Sequence, residues 1–288
     1  MSSSAIGFPR RSSGSARVLP GFGLSMGISV LFISLVLLLP LTGLFGQLAN
    51  LSPGEYWTVI SDPRVVASYL TTLGAAGAAA LVNAAFGLLL AWVLVRYDFP
   101  GKRLVDALMD LPFALPTAVA GITLATLYAK SGWAGSVLEP LGFKVAYTWV
   151  GIALAMAFTS IPFVVRTVQP VLEDMPAEVD EAAMSLGAGD GAAFRRVIMP
   201  HLWPALVTGT GLAFVRSLGE FGAVIFIAGN APYETEITAL MIFVKLQEYD
   251  YAGASAIASV LLFISLALLL AINIWQGRFV RRLHGGNG

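Results

Sequence analysis

The chain has 288 residues, 57% hydrophobic and 12% charged, with no cysteine and a formal net charge of zero. Soluble domains carry about 25% charged residues, so this composition excludes a water-soluble globule and fits a polytopic membrane protein of mean hydropathy +0.79. Neutrality offers no basic surface to a nucleic acid, and the absence of cysteine excludes disulfides and thiolate metal sites. The only histidines, His201 and His284, lie far apart, which argues against a metal site, and none is expected.

Residues 1–23 are rich in serine, contain Arg10, Arg11 and Arg17, and precede the first acid, Glu55. They are expected to form a disordered cytoplasmic tail, although a transit peptide has a similar composition. Residues 24–45 are longer than the core of a secretory signal and lack a clear small-residue cleavage site, so a retained first span is expected. Residues 47–66 read as a polar connection in which Tyr56 and Trp57 suit a membrane interface. The second span, 67–95, is crowded with small residues, including Gly74 and Gly77, which let helix backbones approach closely. Arg96, Lys102 and Arg103 mark a short loop. A third span, 107–129, is interrupted by Pro112 and Pro116, whose freed backbone groups need a neighbour or a polar cavity. Residues 130–146, with Trp133, form another connection, and 147–168 a fourth span.

The longest hydrophilic insertion follows, MPAEVDEAAMSLGAGDGAAFRRVIMP at residues 175–200. Val179, Ala182, Ala183 and Leu186 recur at helical spacing, with Glu178, Asp180 and Glu181 in the first turns, where carboxylates suit the helix dipole. Gly187, Gly189 and Gly191 supply a turn. Phe194, Val197 and Ile198 make a second apolar face, and Pro200 is expected to close the pair. This helix–turn–helix reads as a docking knob that needs a partner.

Residues 201–229 are expected to form a fifth span carrying Arg216 and Glu220, 230–252 a connection, and 253–275 a sixth span. A transmembrane domain over 24–276 would then end in a basic tail, 277–288. Six spans put both termini on one side. That side would hold eleven Lys and Arg residues against four on the other, so the positive-inside rule orients the termini and the 175–200 loop to the cytoplasm. No internal repeat is obvious. The phosphate-cradling motif G-x-x-x-x-G-K-[ST] is absent, so any ATP that drives transport must bind another polypeptide.

The spacing Glu181-Ala182-Ala183, three residues, Gly187, then Val197, Ile198, Met199 and Pro200 resembles the EAA loop of importer-type ABC transporter permeases. Val197 and Met199 depart conservatively from that pattern. The strings LPFALPTAVAGITLATLY, FTSIPFVVRTVQPVLE, LAFVRSLGEFGAVIFIAGN and YDYAGASAIA resemble the T-type membrane subunit of sulfate/thiosulfate importers, and the strings around Arg216 and Glu220 are also similar to molybdate permeases. Where sulfate permeases carry GEYGS this chain has GEFGA, which lacks the two hydroxyls that pattern would offer an anion.

The resemblance implies an all-α fold with six transmembrane helices and a cytoplasmic coupling helix between spans four and five. Ala182, Ala183 and Leu186 would dock, Glu181 would anchor electrostatically or simply stabilise its own helix, Gly187 would make a tight turn, and Pro200 would close the motif. It also implies partners: ATPase subunits that bind ATP and Mg, a second permease (normally the W-type paralogue), an extracytoplasmic sulfate-binding protein and the lipid bilayer, with no cofactor on this chain. Arg216, Ser217 and Glu220 are candidates for the translocation path. Two readings of Arg216 and Glu220 stay open, an anion-guiding arginine restrained by a carboxylate and a structural ion pair. An ion-coupled secondary transporter would need more intramembrane ionisable groups than Arg216, Glu220 and the boundary pair Asp110 and Arg166, and an intramembrane enzyme would need a constellation these spans lack.

Overall fold

The computed structural model describes residues 22–176, 185, 187 and 189–284, and every regular element among them is helical. The chain divides into two units, Met1–Gln47 and Leu48–Gly288. Among the described residues, five helices are long and apolar enough to cross a membrane.

The first unit holds all but the last residue of α1, Phe22–Leu48, which carries no charged residue. An apolar surface on every side is what lipid requires of a spanning helix. Its middle widens into a π turn, Ser34–Leu38, in which the Leu39 N–H donates to the Ser34 carbonyl. Pro40 follows two residues later. A proline ring clashes with the carbonyl four residues back, and a π turn placed there opens the ladder to accept it.

The second unit begins with α2, Pro53–Ile60, inside the stretch expected to be a connection. Its start is a capping box, with Ser52 Oγ accepting from Glu55 N–H (3.3 Å) and Glu55 accepting from Ser52 N–H (2.8 Å). The carboxylate is held below its usual range by these hydrogen bonds to Ser52. Then come α3, Pro63–Arg96, capped by Asp62, and a broken segment: α4 Lys102–Met109, α5 Leu111–Ala114 and α6 Thr117–Tyr128. The expected third span is therefore not one helix. Pro116 leaves Leu115 extended, as a residue before proline prefers, and the 12 residues of α6 reach only about 18 Å.

Three helices form the core: α3, α7 (Trp149–Glu173) and α8 (Gly191–Leu218). Val164 of α7 sits between glycines of its two neighbours, 2.8 Å from where a Cβ on Gly87 would lie and 2.9 Å from one on Gly209. Helix α8 runs through Pro200 instead of starting after it. The adjustment seen in α1 recurs, with a π turn at Phe194–Ile198 and the Met199 N–H donating to the Phe194 carbonyl. After α8 come a short α9, Val224–Ile227, and α10, Thr238–Gln247, which lies in the expected loop 230–252. Finally α11, Tyr251–His284, packs beside α10 and α8. It carries the last expected span through residues 277–284 of the expected tail.

Two apolar clusters fill the core. One gathers Ala75, Ala79, Ile152, Met156, Leu218 and Ile227, the other Leu94, Val164, Val168, Ile198, Leu202 and Leu206. Between them lies a polar layer. Asn83 Nδ2 donates to Ser160 Oγ (2.8 Å) and to the Ala157 carbonyl (3.0 Å), and Ser217 Oγ donates to Ser160 Oγ (3.1 Å). One side chain from each core helix takes part, all are buried, and such a network is satisfied in only one helix register.

Candidate functional site

The expected fifth span stops short. Helix α8 ends at Leu218, Gly219 caps it, and α9 starts only at Val224. Glu220 lies in the elbow, past the helix end, and is 1% exposed. Its Oε1 accepts the Ala223 N–H at 3.0 Å, and its Oε2 lies 2.8 Å from Arg216 Nη1. Arg216 and Glu220 thus meet as their spacing of four foretold, but the carboxylate reaches back across a turn. A buried carboxylate with one oxygen hydrogen-bonded and the other held only by an ion pair is costly to strand. It also fixes the elbow's shape, because one oxygen holds the helix before the break and the other the helix after it.

The second break lies against the first. A Cβ on Gly222 would run into Thr117 Oγ1 and lie 3.3 Å from the Ala118 nitrogen, and one on Gly121 would collide with the Ala223 backbone. Residues 115–116 and 219–223 thus bring two non-helical stretches together between apolar helices. Backbone of this kind cannot face hydrocarbon; it must be buried in protein or line a polar cavity. Arg216 is the charged group at its edge. Its side chain is 34% exposed, and a guanidinium carries five donors, so pairing with Glu220 leaves N–H groups over. Ser217 points elsewhere, into the Asn83–Ser160 layer, where its hydroxyl is occupied by protein partners.

At the other end of the core stands a second charged centre. Arg166 Nε and Nη2 donate to Asp110 (2.9 and 2.7 Å), Nη1 donates to Asp106 (2.6 Å) and Gln169 (2.7 Å), and Nη2 also donates to the Asp106 carbonyl (2.8 Å). Asp106 projects from α4 and Asp110 follows its end, so one arginine of α7 ties down the short amphipathic segment that precedes the broken span. Asp106 was not anticipated, although its spacing of four from Asp110 is the signal that puts both carboxylates on one helical face.

The insertion at 175–200 joins the core at this same end. Phe194 packs edge-on against Trp92 at 5.2 Å, and the Arg96 guanidinium lies 5.5 Å from that indole. Glu181, Ala182, Ala183 and Leu186 lie outside the described residues. Gly187 is described, with φ +80° and nothing within 4 Å of an added Cβ, so the left-handed backbone and not crowding requires glycine. Pro200 sits within α8, two residues past the π turn. Among the described residues no group of three or more His, Cys, Asp or Glu could hold a metal ion.

Residues 83–285 match the family model of binding-protein-dependent transport system inner membrane components. The sulfate transport system permease protein CysT of Salmonella typhimurium is 61% identical over 271 residues, which covers 94% of this chain and 98% of that one. The same-named protein of Synechococcus elongatus is 48% identical over 251 residues, covering 86% and 90%. Among solved structures, a bacterial alginate ABC transporter crystallised with its alginate pentasaccharide-bound periplasmic protein shares the fold, with TM-score 0.72 at 17% identity and coverage of 89% of this chain and 93% of that one.

Proposed function

The chain belongs to the family of binding-protein-dependent transport system inner membrane components, and on that premise we propose that it is the T-type permease subunit of an ATP-driven sulfate importer. It is a multi-pass membrane protein and the transport component of its system, not a catalyst in itself. The observation that carries the substrate is the 61% identity over 94% of the chain with a sulfate permease. Membership of this family sets aside the secondary transporter.

Under this reading the termini and the 175–200 loop face the cytoplasm, where ATPase subunits bind ATP and Mg, and this chain binds no cofactor. The second permease is the W-type paralogue, and a soluble binding protein delivers the anion from the other side. The docking roles fall to Ala182, Ala183 and Leu186, with Glu181 as anchor and Gly187 as the turn. The paired breaks supply the polar stretch of the path. Arg216 meets the dianion with its spare donors while Glu220 keeps it from binding too tightly to release. Glu220 also holds the elbow, so both roles first considered for the pair operate at once. Ser217 stabilises the helices beside the path.

Reconstitution tests this. The chain, its ATPase, a W-type permease and the binding protein in liposomes should accumulate radiolabelled sulfate only with ATP, with thiosulfate competing. Accumulation of molybdate that sulfate does not compete would overturn the substrate. Sulfate uptake that persists without the ATPase would overturn the coupling.

A further inference from the structure

The connection between α6 and α7 carries features that transport leaves unused. It holds one helical turn, Gly135–Leu138, which runs into a 3-10 turn, Glu139–Leu141. The connection is folded tightly on the end of α6. The Ala134 N–H donates to the Leu127 carbonyl at 3.1 Å, and Cβ atoms on Gly132 and Gly135 would collide with the Thr126 and Ala129 carbonyls. Trp133, Val137 and Leu141 recur at intervals of four and are 82%, 62% and 67% exposed, and Phe143 beyond them is 67% exposed. A contiguous exposed apolar strip marks a contact with a partner or a membrane. Helix α7, which follows directly, is long and apolar enough to cross a membrane, so the strip lies at a bilayer surface. Tryptophan is enriched there, and a short amphipathic element can bury its apolar side.

The positions between the apolar ones turn to a charged recess. Two cavities of about 310 and 210 Å³ adjoin at Lys130 and Glu139, which line both, and Lys144 lines the second. Glu139 is part-buried, whereas both lysines reach solvent. None of the ion pairs among the described residues uses Lys130, Glu139 or Lys144. Two cations and one anion thus border the same recess without partners of their own.

We propose that this recess binds the headgroup of one phospholipid that carries both a phosphate and a primary ammonium. Lys130 and Lys144 hold the phosphate, Glu139 accepts from the ammonium, and the acyl chains lie along Trp133, Val137 and Leu141. A headgroup with phosphate alone would satisfy the lysines but set a second negative charge against Glu139. A quaternary ammonium has no N–H to offer the carboxylate in a charge-assisted hydrogen bond. A free oxyanion would leave the apolar strip uncovered. The inference rests on the membrane character of the chain, and neither the substrate nor the orientation enters it. The Tyr147 N–H, at the edge of the second cavity, donates to the Ile227 carbonyl at 2.8 Å. A seated headgroup would therefore brace α9, the helix that follows the elbow.

The test releases the intact transporter from detergent in a mass spectrometer and titrates it with phosphatidylethanolamine, phosphatidylglycerol and phosphatidylcholine of identical acyl chains. The wild type should bind one phosphatidylethanolamine about fivefold more tightly than either of the others. Glu139→Gln should abolish the preference over phosphatidylglycerol. Lys130→Gln with Lys144→Gln should weaken phosphatidylethanolamine about tenfold, and Trp133→Ser should weaken all three lipids alike. Each variant is read as a ratio between lipids on the same folded protein, so a change in yield does not enter. A wild type that binds the three lipids equally, or a Glu139→Gln variant that keeps the preference, overturns the proposal. Displacement of the lipid by sodium sulfate or inorganic phosphate at constant ionic strength would also overturn it, and make the recess a site for a free oxyanion. So would a double lysine variant that binds lipid like wild type but needs more binding protein to stimulate ATP hydrolysis, which would make the lysines a protein contact.

Discussion

The two charged centres of the core are built on opposite terms. Toward the start of α3, Glu220 and Glu236 are 1% and 3% exposed, and each meets one arginine. At the end where the 175–200 insertion joins, Arg166 is shared by Asp106 and Asp110, and the three side chains are 32%, 40% and 51% exposed. A buried carboxylate has no solvent to fall back on, so losing its partner costs several kcal/mol. A half-exposed pair gains back from water most of what it loses, and its net worth is about 1 kcal/mol or less. The first end is pinned; the second is held by contacts that can open and reclose. Under the proposed reading the ATPase subunits would bind at the second end, and the charge arrangement matches the shift they would drive there.

The largest expected effect breaks the pinned end directly. Gly121→Val would drive a branched side chain into the Ala223 backbone, where no side chain can swing aside. Overpacking of this kind costs about 3 kcal/mol or more, so the variant should lose most of its assembled protein, read by size-exclusion yield and by Tm in detergent. Wild-type yield would mean that the two breaks do not hold one another. Next comes Glu220. Glu220→Ala should cost about 2–4 kcal/mol, a figure reduced by the partial exposure of Arg216. Glu220→Gln keeps an acceptor for the Ala223 N–H and should cost about 1–2 kcal/mol. Exchanging the two charges should not rescue either change, because an arginine at 220 has no acceptor to offer Ala223 and would be buried. Rescue by the exchange, measured as Tm and sulfate uptake, would mean that the elbow depends on charge alone.

Much of the architecture was legible because long apolar runs have few alternatives: residues 24–45, 67–95 and 253–275 fall inside observed helices, and 147–168 does so from Trp149 onward. What was missed follows from competing signals. Ser52 and Glu55 spell a capping box, but the polar residues around them masked an eight-residue helix. Glu234, Glu236, Lys245, Glu248 and Asp250 likewise hid the apolar core of α10, TALMIFV. The prolines gave opposite readings. Pro116 breaks its span, whereas Pro200 follows a π turn and Pro162, Pro170 and Pro204 lie inside helices without one, so proline by itself does not encode where a span breaks. Within the candidate site, the Arg216–Glu220 contact was legible from a spacing of four. The helix end between them was not, since Gly219 and Gly222 in an apolar run read equally well as close-packing residues. The burial of Ser217 depends on Asn83 and Ser160, which are remote in sequence.

A smaller effect belongs to the insertion. An L-residue in the left-handed region costs about 1–2 kcal/mol, and Asn less than most. With open space around Gly187, Gly187→Asn should keep most substrate-stimulated ATP hydrolysis, whereas Gly187→Val should lose most of it with membrane levels unchanged. Equal loss in both variants would assign the requirement to contact with a partner and not to φ.

The smallest effect decides the comparison. A double-mutant cycle on Arg166 and Asp110, each changed to alanine, should give a coupling energy of about 0.5–1 kcal/mol, as expected of partly exposed pairs. Screening acts on charges that solvent can reach, and the Debye length falls from about 10 Å at 0.1 M salt to 3 Å at 1 M. The coupling should therefore shrink toward zero over that range. The corresponding cycle on Arg216 and Glu220 should keep most of its larger coupling at 1 M salt, because the carboxylate lies where ions do not penetrate. Thermal unfolding of the four variants of each cycle at the two salt concentrations supplies the numbers. Should the Arg166 coupling prove as large and as resistant to salt as that of Arg216, both centres would be fixed. The motion that carries the anion would then have to arise within the helices instead of at their charged contacts.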